Sequence, residues 1–193
     1  MNARHLKAAD FVRQPWKNGG GITTELAACD EGGHRVWRLS LADVAESGPF
    51  SDFTGYERTI MLVEGAGMEL ALEGRATAPL HQRYVPFVFD GAIPAHCTLV
   101  SGPVKDLNLM VRREQARGGL EVIEPHHVRG RSIDARWTLA YALRGWTRIS
   151  AGDGQWTLAP GELLRFDDAV PAPLDLVGLD REALVALARI HPL

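Results

Sequence analysis

Thr59-Ile60-Met61-Leu62-Val63-Glu64-Gly65-Ala66-Gly67-Met68-Glu69-Leu70-Ala71-Leu72 is the stretch on which the fold turns. An unbroken apolar run ends at an acid and two closely spaced glycines, and an alternating run follows. The pattern predicts a strand, a glycine turn and a returning strand, as in a hairpin. Outward from it the same grammar repeats. In Val36-Trp37-Arg38-Leu39-Ser40-Leu41-Ala42 the alternation puts Trp37, Leu39 and Leu41 on one face and Arg38 and Ser40 on the other. Tyr84 to Phe89, Cys97 to Val100 and Leu107 to Val111 supply further strands. Long amphipathic stretches of 3.6-residue period are nearly absent, so the chain reads as all-β, a sandwich or barrel.

The 193 residues permit one large or two small domains with a real core. A polar seam at Arg112 to Gly119 divides an N-terminal barrel, 1–115, from a C-terminal one, 116–193. After the seam the strand pattern restarts with Trp137 to Leu143, then Gly145, Trp146 to Ile149, a Gly152-Asp153-Gly154 turn and Gln155 to Leu158. Pro160 to Phe166 follows as a turn entering a strand. Glu182 to Ile190 has helical propensity, but its short apolar run after Gly178-Leu179-Asp180 is read as a closing strand. The halves rhyme: Leu62-Val63-Glu64-Gly65 parallels Tyr141-Ala142-Leu143-Arg144-Gly145. This rhythm resembles the cupin β-barrel and implies a bicupin, two small jelly-roll β-barrels in one chain. Trp137, Trp146 and Trp156 are expected to fill much of the second barrel, leaving it mainly structural.

Net charge is −3 with both signs interspersed, which gives no nucleic-acid footprint. No apolar run approaches the roughly 20 residues that span a bilayer. Met1-Asn2-Ala3-Arg4-His5-Leu6-Lys7 lacks an apolar signal core, so a cytoplasmic protein is expected. Cys29 and Cys97, far apart and without metal-type spacing, read as reduced thiols.

Two runs stand out chemically. Pro15-Trp16-Lys17-Asn18-Gly19-Gly20-Gly21 joins an aromatic, a cation and an amide to glycines that permit positive φ and close approach. It suits a tight turn or a ligand contact, and it lacks the Lys-Ser/Thr that ends a phosphate-binding loop. Asp106-Leu107-Asn108-Leu109-Met110 alternates, so Asp106, Asn108 and Met110 share a face. Taken singly, these polar groups and Arg58 fit a solvated strand face or a structural ion pair as well as a pocket. Inside a small barrel, inward polar groups select a ligand, and a guanidinium matches a carboxylate in two-point fashion. Metal-binding cupins present a His-x-His pair, a carboxylate and a further His. The equivalent run here, Gly55 to Ile60, holds no histidine; His81 and His96 are single, and His126 and His127 are adjacent, so neither a metal nor another cofactor is expected. Ser51 is not in a Gly-x-Ser-x-Gly elbow, and no catalytic residue is assigned.

Together with Trp37 to Ala42, Gly48-Pro49-Phe50-Ser51-x-Phe53-x-Gly55-x-x-Arg58, Leu62 to Gly65 and Gly102-Pro103-Val104-x-Asp106-Leu107-Asn108-Leu109-Met110-x-Arg112-Arg113, the glycine run resembles the HutD family, also called Ves. The resemblance is dense over about residues 10 to 113; Thr54 stands where a proline is common. It implies a bicupin without the usual metal ligands, tied to bacterial histidine utilisation, with a regulatory or ligand-binding role and no established enzyme activity. The family's pocket positions fall on Trp16, Lys17, Asn18, Arg38, Ser40, Arg58, Asp106 and Asn108. The leading expectation is a cytoplasmic sensor or buffer of a small carboxylate from histidine breakdown: urocanate, formylated or formimino-glutamate, or formate. In it Arg58 and Arg38 hold the carboxylate, Lys17 adds charge, Asn18, Ser40 and Asn108 hydrogen-bond, Asp106 orients a cation, and Trp16 with Phe50 forms an apolar wall. The alternative is a metal-independent cupin enzyme, an isomerase or hydrolase with Asp106 or Lys17 as acid/base. A third reading is a protein-interaction module. A homodimer stays open.

Overall fold

A computed structural model describes residues 2–17, 19–126, 128–131, 134–169 and 173–193. Among them every regular element is a strand, apart from one 3-10 turn at Ala8–Asp10. No helix is long and apolar enough to cross a membrane. The strands are β1 (Ala3–Leu6), β2 (Val12–Pro15), β3 (Gly21–Glu31), β4 (His34–Val44), β5 (Gly48–Pro49), β6 (Tyr56–Glu64), β7 (Met68–Leu72), β8 (Ala78–Leu80), β9 (Phe87–Asp90), β10 (Ala95–Leu99) and β11 (Val104–Arg112). They continue as β12 (Ala116–Ile123), β13 (Val128–Arg131), β14 (Trp137–Arg144), β15 (Thr147–Ala151), β16 (Gly154–Leu158), β17 (Leu163–Phe166), β18 (Leu174–Gly178) and β19 (Leu184–Pro192).

Contacts divide the chain into two units: Phe11–Ala116, and Met1–Asp10 with Arg117–Leu193. The N-terminal unit has a six-stranded sheet, β2-β3-β4-β11-β6-β9, and a four-stranded one, β5-β10-β7-β8. Its core lies between them: Ala42, Ile60, Leu62 and Val104 from the first sheet meet Met68, Leu70, Leu80 and Cys97 from the second. The C-terminal unit has sheets β1-β17-β14-β19-β12 and β13-β18-β15-β16. Ala140, Leu164, Phe166, Val185 and Leu187 there pack on Ile149, Leu158, Leu174 and Leu176.

The two units share one topology. The order β4-β11-β6-β9 in the first matches β12-β19-β14-β17 in the second, and β5-β10-β7-β8 matches β13-β18-β15-β16. The chain is thus an all-β double barrel of cupin type. The rhyme heard in the sequence falls at equivalent corners, after β6 and after β14. Even the register irregularity recurs. Glu64 and Leu62 flank one in β6, opposite Lys105 and Asp106; Arg144 and Ala142 flank its counterpart in β14, opposite Leu184 and Val185. A bulge shared by both units belongs to the corner rather than to a site.

That corner corrects the expected hairpin. β6 already pairs with β11 on one edge and β9 on the other, so β7 has no free edge to join and enters the opposite sheet. Gly65, at φ 101°, makes the turn directly against the start of β11; a Cβ there would lie 2.8 Å from the Pro103 carbonyl oxygen. Gly145, at φ 59°, occupies the same place, where a Cβ would meet the Ala183 backbone at 2.8 Å.

Other expectations also shift. The first ten residues were expected in the N-terminal barrel, but β1 pairs with β17, Ala3 opposite Phe166. The seam at Arg112 to Gly119 is a tight turn followed by β12, which runs through both glycines. Tyr84 lies in a turn at φ 66° rather than in a strand, and β9 begins at Phe87. Glu182 to Ile190 does fall largely within a closing strand, β19. Of the three tryptophans expected to fill the second barrel, Trp137 is buried at 2% exposure and Trp156 packs edge-on to Phe166 at 5.6 Å. Trp146 is 49% exposed and lies in the turn between the corner glycine and β15.

Gly65→Ala should destabilise the fold by about 1–3 kcal/mol, since it combines an unfavourable φ with a backbone collision. The midpoint of urea unfolding reads this directly, and an unchanged midpoint would show that the corner relaxes freely.

Candidate functional site

The inward face of the six-stranded sheet is apolar near the Gly65 corner and turns polar further along. Register sets the rows: Ala42–Asp106–Leu62, then Ser40–Asn108–Ile60, then Arg38–Met110–Arg58, with Phe89 beyond Arg58. Alternation along each strand therefore brings Arg38 and Ser40, Asp106 and Asn108, and Arg58 to one wall.

Arg58 is only 6% exposed. Its Nη2 donates to Asn108 Oδ1 at 3.0 Å, and its guanidinium stands over the rings of Phe50, Phe53 and Phe89 at 5.2, 5.1 and 4.8 Å. Ring faces attract cations and offset part of the lost hydration. Burial lowers its pKa to about 10, with Asp106 opposing and Arg38 reinforcing the fall, so the group stays charged at neutral pH. Asn108 is held at both ends: its Nδ2 donates to Asp106 Oδ1 in a short contact. Because Arg58 can only donate, the Asn108 oxygen must face Arg58 and its amide nitrogen must face Asp106.

Asp106 is fully buried, and its Oδ2 has no hydrogen-bond partner among the described residues. Burial pushes its pKa up to about 7, against the pull of Arg58 and helped by Asp43. Arg38 is half-buried beside it. Its Nη2 reaches Met110 Sδ at 3.2 Å, it stands over Phe53 at 5.5 Å, and burial lowers its pKa.

The opposing side comes from the glycine run. Trp16 N donates to the Gly21 carbonyl at 2.9 Å, Gly19 N to the Trp16 carbonyl at 3.1 Å, and the indole Nε1 to Thr23 Oγ1 at 2.7 Å. Gly21 makes this possible, because a Cβ there would sit 2.5 Å from the Asp43 carbonyl oxygen and 3.1 Å from the Trp16 ring.

Between these sides lies a cavity of about 630 Å³. Trp16, Lys17, Arg38, Ser40, Phe50, Arg58, Asp106 and Asn108 all line it, with Lys17 exposed. Asn18 lies outside the described residues. Sequence reasoning missed Phe53, Thr23 and Gln14 as lining residues. Phe53 carried a usable signal, two residues before Gly55 in a stretch already singled out; Thr23 and Gln14 carried none. Ser51, set aside in the sequence for want of a nucleophile elbow, also lines the cavity. A smaller cavity of about 500 Å³ shares Arg38 and Phe53 with the first.

The second barrel shows what this wall would be without polar groups. Counting back from the corner glycines, Arg58 corresponds to Thr138, and register then places Val185 where Asp106 stands and Leu187 where Asn108 stands. Val185 and Leu187 are fully buried members of an apolar core. Cys97, buried against Met68 Sδ at 3.4 Å, has its thiol pushed up to about 11, which removes it as a nucleophile at neutral pH. Among the described residues no three His, Cys, Asp or Glu side chains cluster as metal ligands.

The Asp106 carboxyl links stability to pH. The folded state holds its proton more tightly than the unfolded chain, so its contribution is complete below about pH 4 and is lost as pH rises through about 7. Asp106→Asn keeps the acceptor for Asn108 and removes the titration. From pH 4 to pH 8 the variant should gain on the wild type, by on the order of 4 kcal/mol at most. Urea unfolding at several pH values checks this, and a difference independent of pH would show that Asp106 does not titrate in that range.

Known proteins share this chain and its fold. An uncharacterised 21.2 kDa protein from the hutC 3' region of Pseudomonas putida is 40% identical over 120 residues, 60% of this chain and 62% of that protein. The chain thus matches about three fifths of that relative's length. Protein Ves of Cronobacter sakazakii is 33% identical over 131 residues, 67% of this chain and 70% of the relative. The structure of HutD from Pseudomonas fluorescens SBW25, in a formate condition, superposes with a TM-score of 0.87 at 30% identity, covering 100% of both chains. Oxalate decarboxylase of Bacillus subtilis shares the fold alone, with a TM-score of 0.67 at 9% identity over 97% of this chain and 76% of that one. Residues 8–184 match the HutD family model, and the chain belongs to the HutD family.

Proposed function

We propose that the N-terminal barrel is a binding site for a small carboxylate, and that the chain senses or buffers a metabolite such as urocanate, formylated or formimino-glutamate, or formate. The observation that carries this reading is the buried Arg58. A guanidinium held by one amide and three rings, with Nε unpartnered among the described residues, is a costly feature that a closed core would not keep. Arg38 lines the same cavity and its Nε is likewise unpartnered among the described residues; Asp106 is the one carboxyl in the cavity lining and attracts Arg58, while Glu25, outside the lining, attracts Arg38. The site is therefore electropositive, and guanidinium geometry suits a carboxylate. Guanidinium, amide, hydroxyl and one carboxyl form a poor donor set for a metal. The hutC-region name of the Pseudomonas putida relative is in keeping with a histidine-utilisation setting.

A second reading has one observation in its favour. Asp106, titrating near neutrality at the cavity wall, is suited to acid/base work, as in a metal-independent isomerase or hydrolase.

Thermal-shift and calorimetric titration with the named carboxylates tests the first reading. Ligand at 100 times Kd should stabilise the protein by about 2.7 kcal/mol. Arg58→Met should abolish the response; because it also leaves Asn108 Oδ1 without its donor and Asp106 without its attracting cation, the unfolding midpoint of the variant is measured alongside to show that it is folded. A folded wild-type protein that answers none of these compounds overturns the binding reading. Turnover of any of them, abolished by Asp106→Asn, would establish the enzymatic one.

A further inference from the structure

We propose that the ligand of this cavity is a bifunctional monoanion: a carboxylate seated against Arg58 and Arg38, with an N–H or O–H donor on the same molecule delivered to Asp106 Oδ2. The inference rests on the carboxylate-binding reading and narrows it to a chemical class.

Three features of the wall lead there. The first is the direction imposed by Asn108. Its oxygen is committed to Arg58, so its amide nitrogen points at Asp106 and requires Asp106 Oδ1 to accept. The second is what this leaves over. Asp106 is a lining residue of the cavity with no exposed surface, and its Oδ2 has no partner among the described residues. A buried acceptor left unsatisfied is costly, so a bound molecule that satisfies it gains more than the contact itself is worth. The third is charge. Among the buried groups that line the cavity, Arg38 and Arg58 are cationic and Asp106 is the one carboxyl, with Glu25 attracting Arg38 and Asp43 acting on Asp106 from outside the lining. A carboxylate on the ligand suits the two guanidiniums, and a donor on the same molecule keeps that negative group from facing the Asp106 carboxylate directly. Lys17 stands exposed, outside this buried group.

Size agrees. A cavity of about 630 Å³ falls in the range of sites for multi-atom metabolites and far exceeds a one-carbon anion. The second barrel supplies the contrast, since Val185 and Leu187 stand where Asp106 and Asn108 do and leave nothing for a donor to meet.

Matched ligands that differ by one group test the proposal. Oxamate and pyruvate differ only by NH2 in place of CH3 next to the carbonyl; succinamate and levulinate differ in the same way on a longer chain. Calorimetric titration of the full chain at pH 8, where Asp106 is largely ionised, should show the amide of at least one pair binding at least tenfold more tightly than its ketone. Asp106→Asn, which keeps the acceptor for Asn108 but removes the carboxylate charge, should reduce that preference to threefold or less. Equal binding within both pairs, or tighter binding of the ketones, overturns the donor requirement while leaving the carboxylate site standing. Binding of no member of either pair, and of none of the metabolites named above, overturns both. If Asp106→Asn does not fold, the wild-type pairs decide the matter alone.

Discussion

The Asn108 amide is the hinge of the site. It touches both a buried guanidinium and a buried carboxyl, and it can satisfy them in only one orientation. Arg58 and Asp106 stand two rows apart on the wall, and Asn108, from the row between, bridges them. The phenylalanine rings around Arg58 complete the arrangement by holding the cation without hydrogen-bonding it away.

The duplicated barrel turns this from a description into a comparison. Both units use the same strand order, the same bulge and the same corner glycine, so differences at equivalent inward positions reflect use rather than architecture. Where the second unit packs Thr138, Val185 and Leu187, the first has Arg58, Asp106 and Asn108. Burying charged and amide groups where the second unit has a threonine and two aliphatics costs stability in a small core. The first barrel carries that cost at these three places, and there the cavity opens.

Much of this was legible from residue order, for a physical reason. Period-two alternation assigns faces reliably, so Arg38 with Ser40 and Asp106 with Asn108 could be grouped before any coordinates. Alternation does not say which face is inward, and polar strand faces are ordinarily solvated, so the grouping alone left pocket and surface both open. Pairing is also invisible to it. The Gly65 turn reads identically whether β7 returns beside β6 or crosses to the other sheet, because the choice depends on β9 and β11 having already taken both edges of β6. Phe53 and Thr23 reach the cavity through loop and cross-strand geometry that no local pattern encodes. Trp146 misled because aromatic bulk predicts burial only on average, and a residue at a strand's turn end can leave its ring outside.

The pairing of β1 with β17 carries a consequence for how the chain is made. Ala3 finds Phe166 only after more than 160 intervening residues have been added. On a ribosome, the Phe11–Ala116 barrel has all its own strands well before that, while β1 waits as an unpaired edge. Closure of the second barrel is therefore tied to late synthesis and to long-range contact formation, the slow step in β-rich topologies. The order of assembly delivers the cavity-bearing barrel first and its partner last.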